Sequence, residues 1–169
     1  MNNSSGDRDT PTAAPQLRLE EFLPYRLNVV ASLTSQALAR LYGDRYGIGV
    51  PEWRVLVTLG QYGTMSGKAI GIHSHMHKTK VSRAVAALER RKWLARRVNR
   101  EDLRESMLSL TPAGLAVYRE LAPIALNFSR RLEETIDPAD RAAFDRAVSR
   151  LIERSAALAA EVNSNKRAV

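Results

Sequence analysis

Between Lys78 and Arg104 the chain carries ten cationic side chains: Lys78, Lys80, Arg83, Arg90, Arg91, Lys92, Arg96, Arg97, Arg100 and Arg104. Only Glu89, Glu101 and Asp102 oppose them, so seven of the eight net positive charges of the 169 residues lie in this one stretch. Concentrated charge raises the local potential and attracts a polyanion, although a run of this kind taken alone is equally compatible with a solvated face. What surrounds it has to decide. Hydroxyls and a histidine are interleaved with the cations: Ser66 upstream, His77 at the edge, then Thr79 and Ser82. Cations suit phosphates, and short hydroxyls suit both phosphates and base edges. The residue types thus nominate Ser66, His77, Lys78, Thr79, Lys80, Ser82 and Arg83 as contacts to double-stranded DNA, with the cations Arg100 and Arg104 following in a second group.

Other chemistries find less support. His73, His75 and His77 alternate, and three imidazoles converging on one ion would make a metal site. On a helix only His73 and His77 share a face, and the competing reading has His77 capping a helix or touching phosphate while the others pack or face solvent. We expect no bound metal and no cofactor. Adjacent carboxylates at Glu20-Glu21 and Glu133-Glu134 point to different helix faces and cannot flank one substrate. No nucleophile elbow, phosphate-binding loop, dinucleotide fingerprint or zinc-protease motif occurs, so the chain does not read as an enzyme. The absence of cysteine excludes disulfides, thiolate metal sites and thiol catalysis. No apolar run is long enough to span a membrane, and the polar opening Asn2–Asp7 is unlike a signal peptide, so a cytoplasmic location is expected.

The elements that must position these residues follow from periodicity. Residues 1–17 are polar and carry Pro11 and Pro15, which reads as a disordered tail. Leu19, Leu23, Leu27, Val30, Leu33, Ala37, Leu38 and Leu41 then recur at helical steps until glycines break the pattern near residue 47. Pro51 suits the first turn of a helix running to about Gln61, and Ser66 can cap a short one to about Gly71 or Ile72. A third runs from about Thr79 to Lys92, with Val81, Val85 and Leu88 turned inward and the cations outward. Two short helices across a tight break, the second basic on its outer face, make a helix-turn-helix. Leu94–Val98 and Ser106–Leu110 read as the strands of a hairpin with a polar tip at Asn99–Glu105, in the position of a wing. Thr111-Pro112 opens a long helix striped by Leu115, Tyr118, Leu121, Ala125, Phe128 and Leu132, with a kink or break expected at Pro123. Asp137-Pro138 restarts a final helix to about Asn163, followed by a frayed end at 164–169.

These residues resemble the MarR (multiple antibiotic resistance) regulators, dimeric winged-helix DNA-binding proteins. The resemblance covers residues 20–160 by order of elements. It is carried by Glu52-Trp53-Arg54-Val55-Leu56, Thr79-Lys80-Val81-Ser82-Arg83, Ala87-Leu88-Glu89-Arg90-Arg91-Lys92-Trp93-Leu94, Asp102-Leu103-Arg104 and Leu110-Thr111-Pro112-Ala113-Gly114. Lys92-Trp93 departs from the family, which usually ends this helix with glycine. The resemblance implies that Arg104 enters the minor groove while Asp102 orients its guanidinium. Alone, a surface Asp-x-Arg pair is usually just solvated. It also implies a small effector, often an aromatic acid, bound between the dimer helices and the lobe. Tyr25, Arg26, Trp53 and Arg54 could supply an arginine for a carboxylate and rings for stacking. The alternative makes Trp53 an interlobe core residue and Arg26 a surface or dimer salt bridge. Tyr25-Arg26-Leu27-Asn28-Val29 together with Pro51-Glu52-Trp53-Arg54 also resembles members that repress aromatic-acid catabolism, including nicotinate degradation.

The expected architecture is therefore mainly α with a small β-hairpin wing. A dimerisation helix spans 18–47, a winged helix-turn-helix lobe 50–111, and further dimerisation helices 112–163, the N- and C-terminal helices intertwining in a homodimer. The long apolar stripes, more than one lobe can cover, argue independently for that dimer. The expected activity is a repressor that binds a palindromic operator and is released by an effector. A sequence-tolerant architectural DNA-binding protein is the rival.

Overall fold

The computed structural model describes residues 16–98 and 105–167. Six helices and three short strands follow in the order α1 Leu23–Tyr46, α2 Val50–Tyr62, β1 Met65–Ser66, α3 Gly67–Ser74, α4 Lys78–Arg90, β2 Leu94–Val98, β3 Ser106–Leu110, α5 Pro112–Glu133 and α6 Arg141–Arg167. The hairpin strands are those read from the sequence, paired antiparallel from Leu94 opposite Leu110 to Val98 opposite Ser106. A third strand was not foreseen. Met65 and Ser66 pair antiparallel with Leu108 and Met107, placing β1 on the outer edge of β3. Two residues are too few to show any alternation.

Helix ends differ from the periodicity where local chemistry outweighs it. The first helix begins at Leu23 and not near Leu19, because Pro24 occupies its first turn and has no N–H to extend the ladder upstream. Residues 18–22 instead close isolated turns, Glu21 N–H to Arg18 and Phe22 N–H to Leu19. Helix α2 opens on Gly49 and Pro51, with the Glu52 carboxylate accepting from the Gly49 N–H at 3.0 Å. Helix α3 continues to Ser74, beyond Ile72, and is stopped by His75 in the left-handed region at φ 51°. Helix α5 runs unbroken through Pro123, at the loss of one backbone hydrogen bond. The last helix starts at Arg141 and not at Pro138, since Asp137 closes a turn by accepting from the Ala139 N–H at 2.8 Å. It also runs past Asn163, continuing to Arg167.

The departure at Lys92 has a structural expression. Helix α4 stops at Arg90, and Lys92 takes the left-handed conformation, φ 59°, that normally favours glycine. The Lys92 N–H donates to Glu89 at 2.8 Å and the Trp93 N–H to Leu88 at 3.0 Å, the paired bonds of a Schellman motif. A lysine there bears the steric cost of its Cβ. Lys92→Gly is expected to raise unfolding stability by about 1 kcal/mol, read as a shift in urea midpoint at fixed protein concentration with unchanged slope.

Two apolar clusters organise the chain. One holds the lobe together: Val55 and Leu59 of α2, Ile70 of α3, Val81, Val85 and Leu88 of α4, Leu94 of β2 and Leu108 of β3. The other, built on Tyr42, Ile48, Leu56 and Leu121, joins α1, α2 and α5. Beyond that joint the long helices lie open. Leu23, Leu27, Val30 and Leu33 of α1 are exposed, as are Phe144, Val148, Ile152, Leu158 and Val162 of α6.

Candidate nucleic-acid interface

Helix α4 divides cleanly into two faces. Val81, Ala84, Val85 and Leu88 are at most 3% exposed, while Lys78, Thr79, Lys80, Ser82, Arg83 and Arg90 face solvent. The inner face is anchored in the lobe core, so the outer one is presented rigidly. His77 is the N-cap, its Nδ1 accepting from the Thr79 N–H at 3.4 Å. The first turn contains no acidic residue and two lysines. Cations at the positive end of a helix dipole are locally unfavourable, and an external anion reverses that sign. An end of this kind can accept a phosphate.

The hairpin stands beside this helix. Glu89, the one carboxylate of α4, is engaged by Arg96 of β2 through Nε at 2.9 Å and Nη2 at 3.2 Å. The Arg96 pKa is raised by that hydrogen bond, with burial opposing it and the Glu89 charge adding to it. Arg97 alternates to the opposite face of the strand. The pairing removes the helix's only negative charge from competition for a polyanion. Arg100, Asp102 and Arg104, expected at the wing tip, lie outside the described residues.

Between α3, α4 and the hairpin runs a groove of about 630 Å³, with Ser66, Lys68, Lys78 and Ser82 on its sides and Ile72 and Leu108 among its apolar lining. Ser66 serves first as the cap of α3, its Oγ accepting from the Ala69 N–H at 3.3 Å. Lys68 is exposed on the same side and was missed from the sequence, where a lone lysine in a short helix carries no signal.

The three histidines separate. His73 packs against Tyr62 with ring centroids 4.4 Å apart and planes tilted by 36°, His75 closes α3, and His77 caps α4. Among the described residues no group of three His, Asp or Glu side chains is placed to hold a metal ion.

The four aromatic and arginine candidates fall into two places. Trp53 stacks on buried Tyr42, centroids 5.0 Å apart and planes 13° from parallel, packed against the α1–α2–α5 joint. Burial raises the Tyr42 pKa, with the Arg54 charge opposing and Glu52 adding. Arg54 donates to the Ser74 carbonyl at 3.3 Å, and Thr58 donates to the Arg54 carbonyl at 2.7 Å. Tyr25 and Arg26 are exposed at the far end of α1. Sixteen or seventeen residues of helix separate them from Tyr42, roughly 25 Å at 1.5 Å per residue. Within the chain the two pairs do not meet. Tyr42 is the neighbour that sequence reasoning overlooked, because its contact with Trp53 is made across two helices. No helix among the described residues is long and apolar enough to cross a membrane.

A sequence profile described as the MarR family matches residues 48–106. The HTH-type transcriptional regulator YwoH of Bacillus subtilis is 30% identical over 101 residues, covering 60% of this chain and 73% of that protein. A MarR/EmrR family transcriptional regulator from Acinetobacter sp. ADP1 shares the fold with a TM-score of 0.75 at 23% identity, over 82% of this chain and 98% of the other. BpsR of Bordetella bronchiseptica, whose DNA binding is regulated by 6-hydroxynicotinic acid, aligns with a TM-score of 0.73 at 20% identity, over 81% and 97%.

Proposed function

This chain belongs to the MarR family of DNA-binding transcriptional regulators, and from that premise we propose that it acts as a homodimeric repressor released from a palindromic operator by a small aromatic acid. The observation that carries the DNA reading is the partition of α4, buried apolar on one side and cationic with hydroxyls on the other. Helix α4 supplies base-edge and phosphate contacts through Lys78, Thr79, Lys80, Ser82 and Arg83, and Arg100, Asp102 and Arg104 are assigned to the adjoining groove by the family resemblance.

The dimer reading is supported by what the protomer leaves uncovered. Helix α6 is 27 residues long, about 40 Å, and exposes apolar side chains along its length. A second copy would cover these stripes and those of α1, and two-fold symmetry would set two recognition helices against half-sites about one helical turn apart. Tyr25 and Arg26 can join Trp53 and Arg54 around one effector only across that subunit boundary. The acid regulating BpsR is flat and anionic, chemistry that stacked rings and a guanidinium accommodate. An effector releases the protein only by binding one separation of the recognition helices better than the other.

Enrichment of genomic duplexes bound by the purified protein at physiological salt, followed by titration of 6-hydroxynicotinate and related aromatic acids, tests this reading. A few discrete promoter fragments carrying inverted half-sites, released by one of these acids, are expected. Enrichment without sequence preference would favour an architectural protein, and retention of promoter fragments at every acid concentration would defeat the effector assignment.

A further inference from the structure

Helices α1 and α4 end against one another, and the Arg91 side chain joins them. Gly47 closes α1 in the left-handed region at φ 60°, its N–H satisfied by the Gly43 carbonyl at 2.8 Å. The last carbonyls of a helix have no following turn to accept from. Arg91, the C-cap of α4, supplies two of them: Nη1 donates to the Tyr46 carbonyl at 2.8 Å and Nη2 to the Gly47 carbonyl at 2.6 Å. The same guanidinium lies 5.1 Å from the centroid of the Trp93 ring, which meets the Tyr46 ring edge-on at 6.1 Å. The Tyr46 hydroxyl donates to Glu120 of α5 at 2.5 Å, and that carboxylate also receives Arg45 at 2.8 Å. A connected path therefore runs from the end of α4, through the end of α1, to α5.

Three features make this a positional device and not merely a stabilising one. Helix α1 packs chiefly against α2 and α5, so Arg91 is its direct link to the recognition helix. The acceptors are backbone carbonyls, and a planar fork holding two of them fixes an angle as well as a distance. The Arg91 side chain is exposed, where hydrogen bonds add little to stability. Helix α4 is 13 residues, about 20 Å, and its DNA-facing residues lie at the end away from the clamp. A 5° change of tilt at the clamp would move them by roughly 1.7 Å over that length.

We propose that Arg91 is a positioning residue for operator recognition: its guanidinium locks the DNA-binding lobe to the end of α1 and so sets the half-site spacing that the dimer reads. This rests on the dimeric reading given above. Because the chain has no cysteine, one spin label per protomer can be placed at Gln61→Cys, an exposed position at the end of α2, and the distance across the dimer measured by pulsed electron resonance. With Arg91 the distribution is expected to be narrow. Arg91→Gln is expected to broaden it at least twofold, and Arg91→Lys, which keeps the charge but not the fork, to fall between. In parallel selections from a random duplex library, the parent enriches two half-sites at one spacing. The Arg91→Gln protein is expected to enrich the same half-sites with about tenfold weaker discrimination against a spacing one base pair longer. An unchanged distance distribution, or an unchanged spacing preference, in a folded dimeric variant overturns the proposal. Absence of any dipolar signal in the parent defeats the dimer reading and this inference with it. Should Arg91→Gln not fold, Arg91→Lys carries the same comparison.

Discussion

An Arg83→Ala protein is expected to bind its operator 10- to 100-fold more weakly while remaining folded and dimeric. Arg83 is exposed on α4, in the second turn beyond the capped end, and its neighbour Ala84 is fully buried in the lobe core. Truncating it removes no packing, so the unfolding free energy should change by less than about 0.5 kcal/mol. A side chain that reaches a base edge contributes about 1–3 kcal/mol of discrimination, which sets the size of the loss. The loss should also be selective: affinity for random duplex should fall far less than affinity for the operator. Fluorescence anisotropy with both duplexes at one salt concentration separates the two. Equal losses on both would make Arg83 a phosphate contact only, and no loss on either would remove it from the interface.

The second large effect concerns stability. Gly114 in the first turn of α5 lies directly against the backbone of Trp93, whose carbonyl occupies the space a Cβ would need. The approach is enforced from both sides, since the Thr111 N–H donates to the Trp93 carbonyl at 3.0 Å and the Thr111 hydroxyl to the Lys92 carbonyl at 2.7 Å. The obstructing atoms are backbone and cannot rotate away. Gly114→Ala should therefore destabilise by about 3 kcal/mol, the upper range for overpacking. For a chain of this size that is a fall in melting temperature of roughly 10 °C. Calorimetry at fixed protein concentration checks it, the concentration being fixed because dimerisation adds to apparent stability. A change under 1 kcal/mol would show that α5 can slide from the lobe without cost.

The parts of this molecule legible in the sequence are those whose signals are local. The inward stripe of α4, the hairpin strands and the Thr111-Pro112 start of α5 are each written within a few residues, and the chain adopts them at those positions. Lys92 shows the same thing in reverse: a missing glycine marked the helix end as unusual, and the residue takes the left-handed conformation glycine would have occupied. What could not be read depends on distance in space. The edge strand Met65–Ser66 exists only because β3 passes beside it. Glu89 and Arg96 are seven residues apart on different elements, so the neutralisation of the helix's one carboxylate was invisible. Tyr25 and Arg26 were grouped with Trp53 and Arg54 by residue type, whereas the rise of α1 holds them apart. Arg91 looked like one more cation in a basic run until the end of α1 was found against it.

The decisive measurement is a footprint of the protein on its enriched promoter fragment, taken at physiological salt with random duplex in large excess. The account predicts protection of two inverted segments about one helical turn apart, persisting as competitor is added. Protection that dissolves into the competitor, or that covers one segment without a symmetry mate, would contradict it.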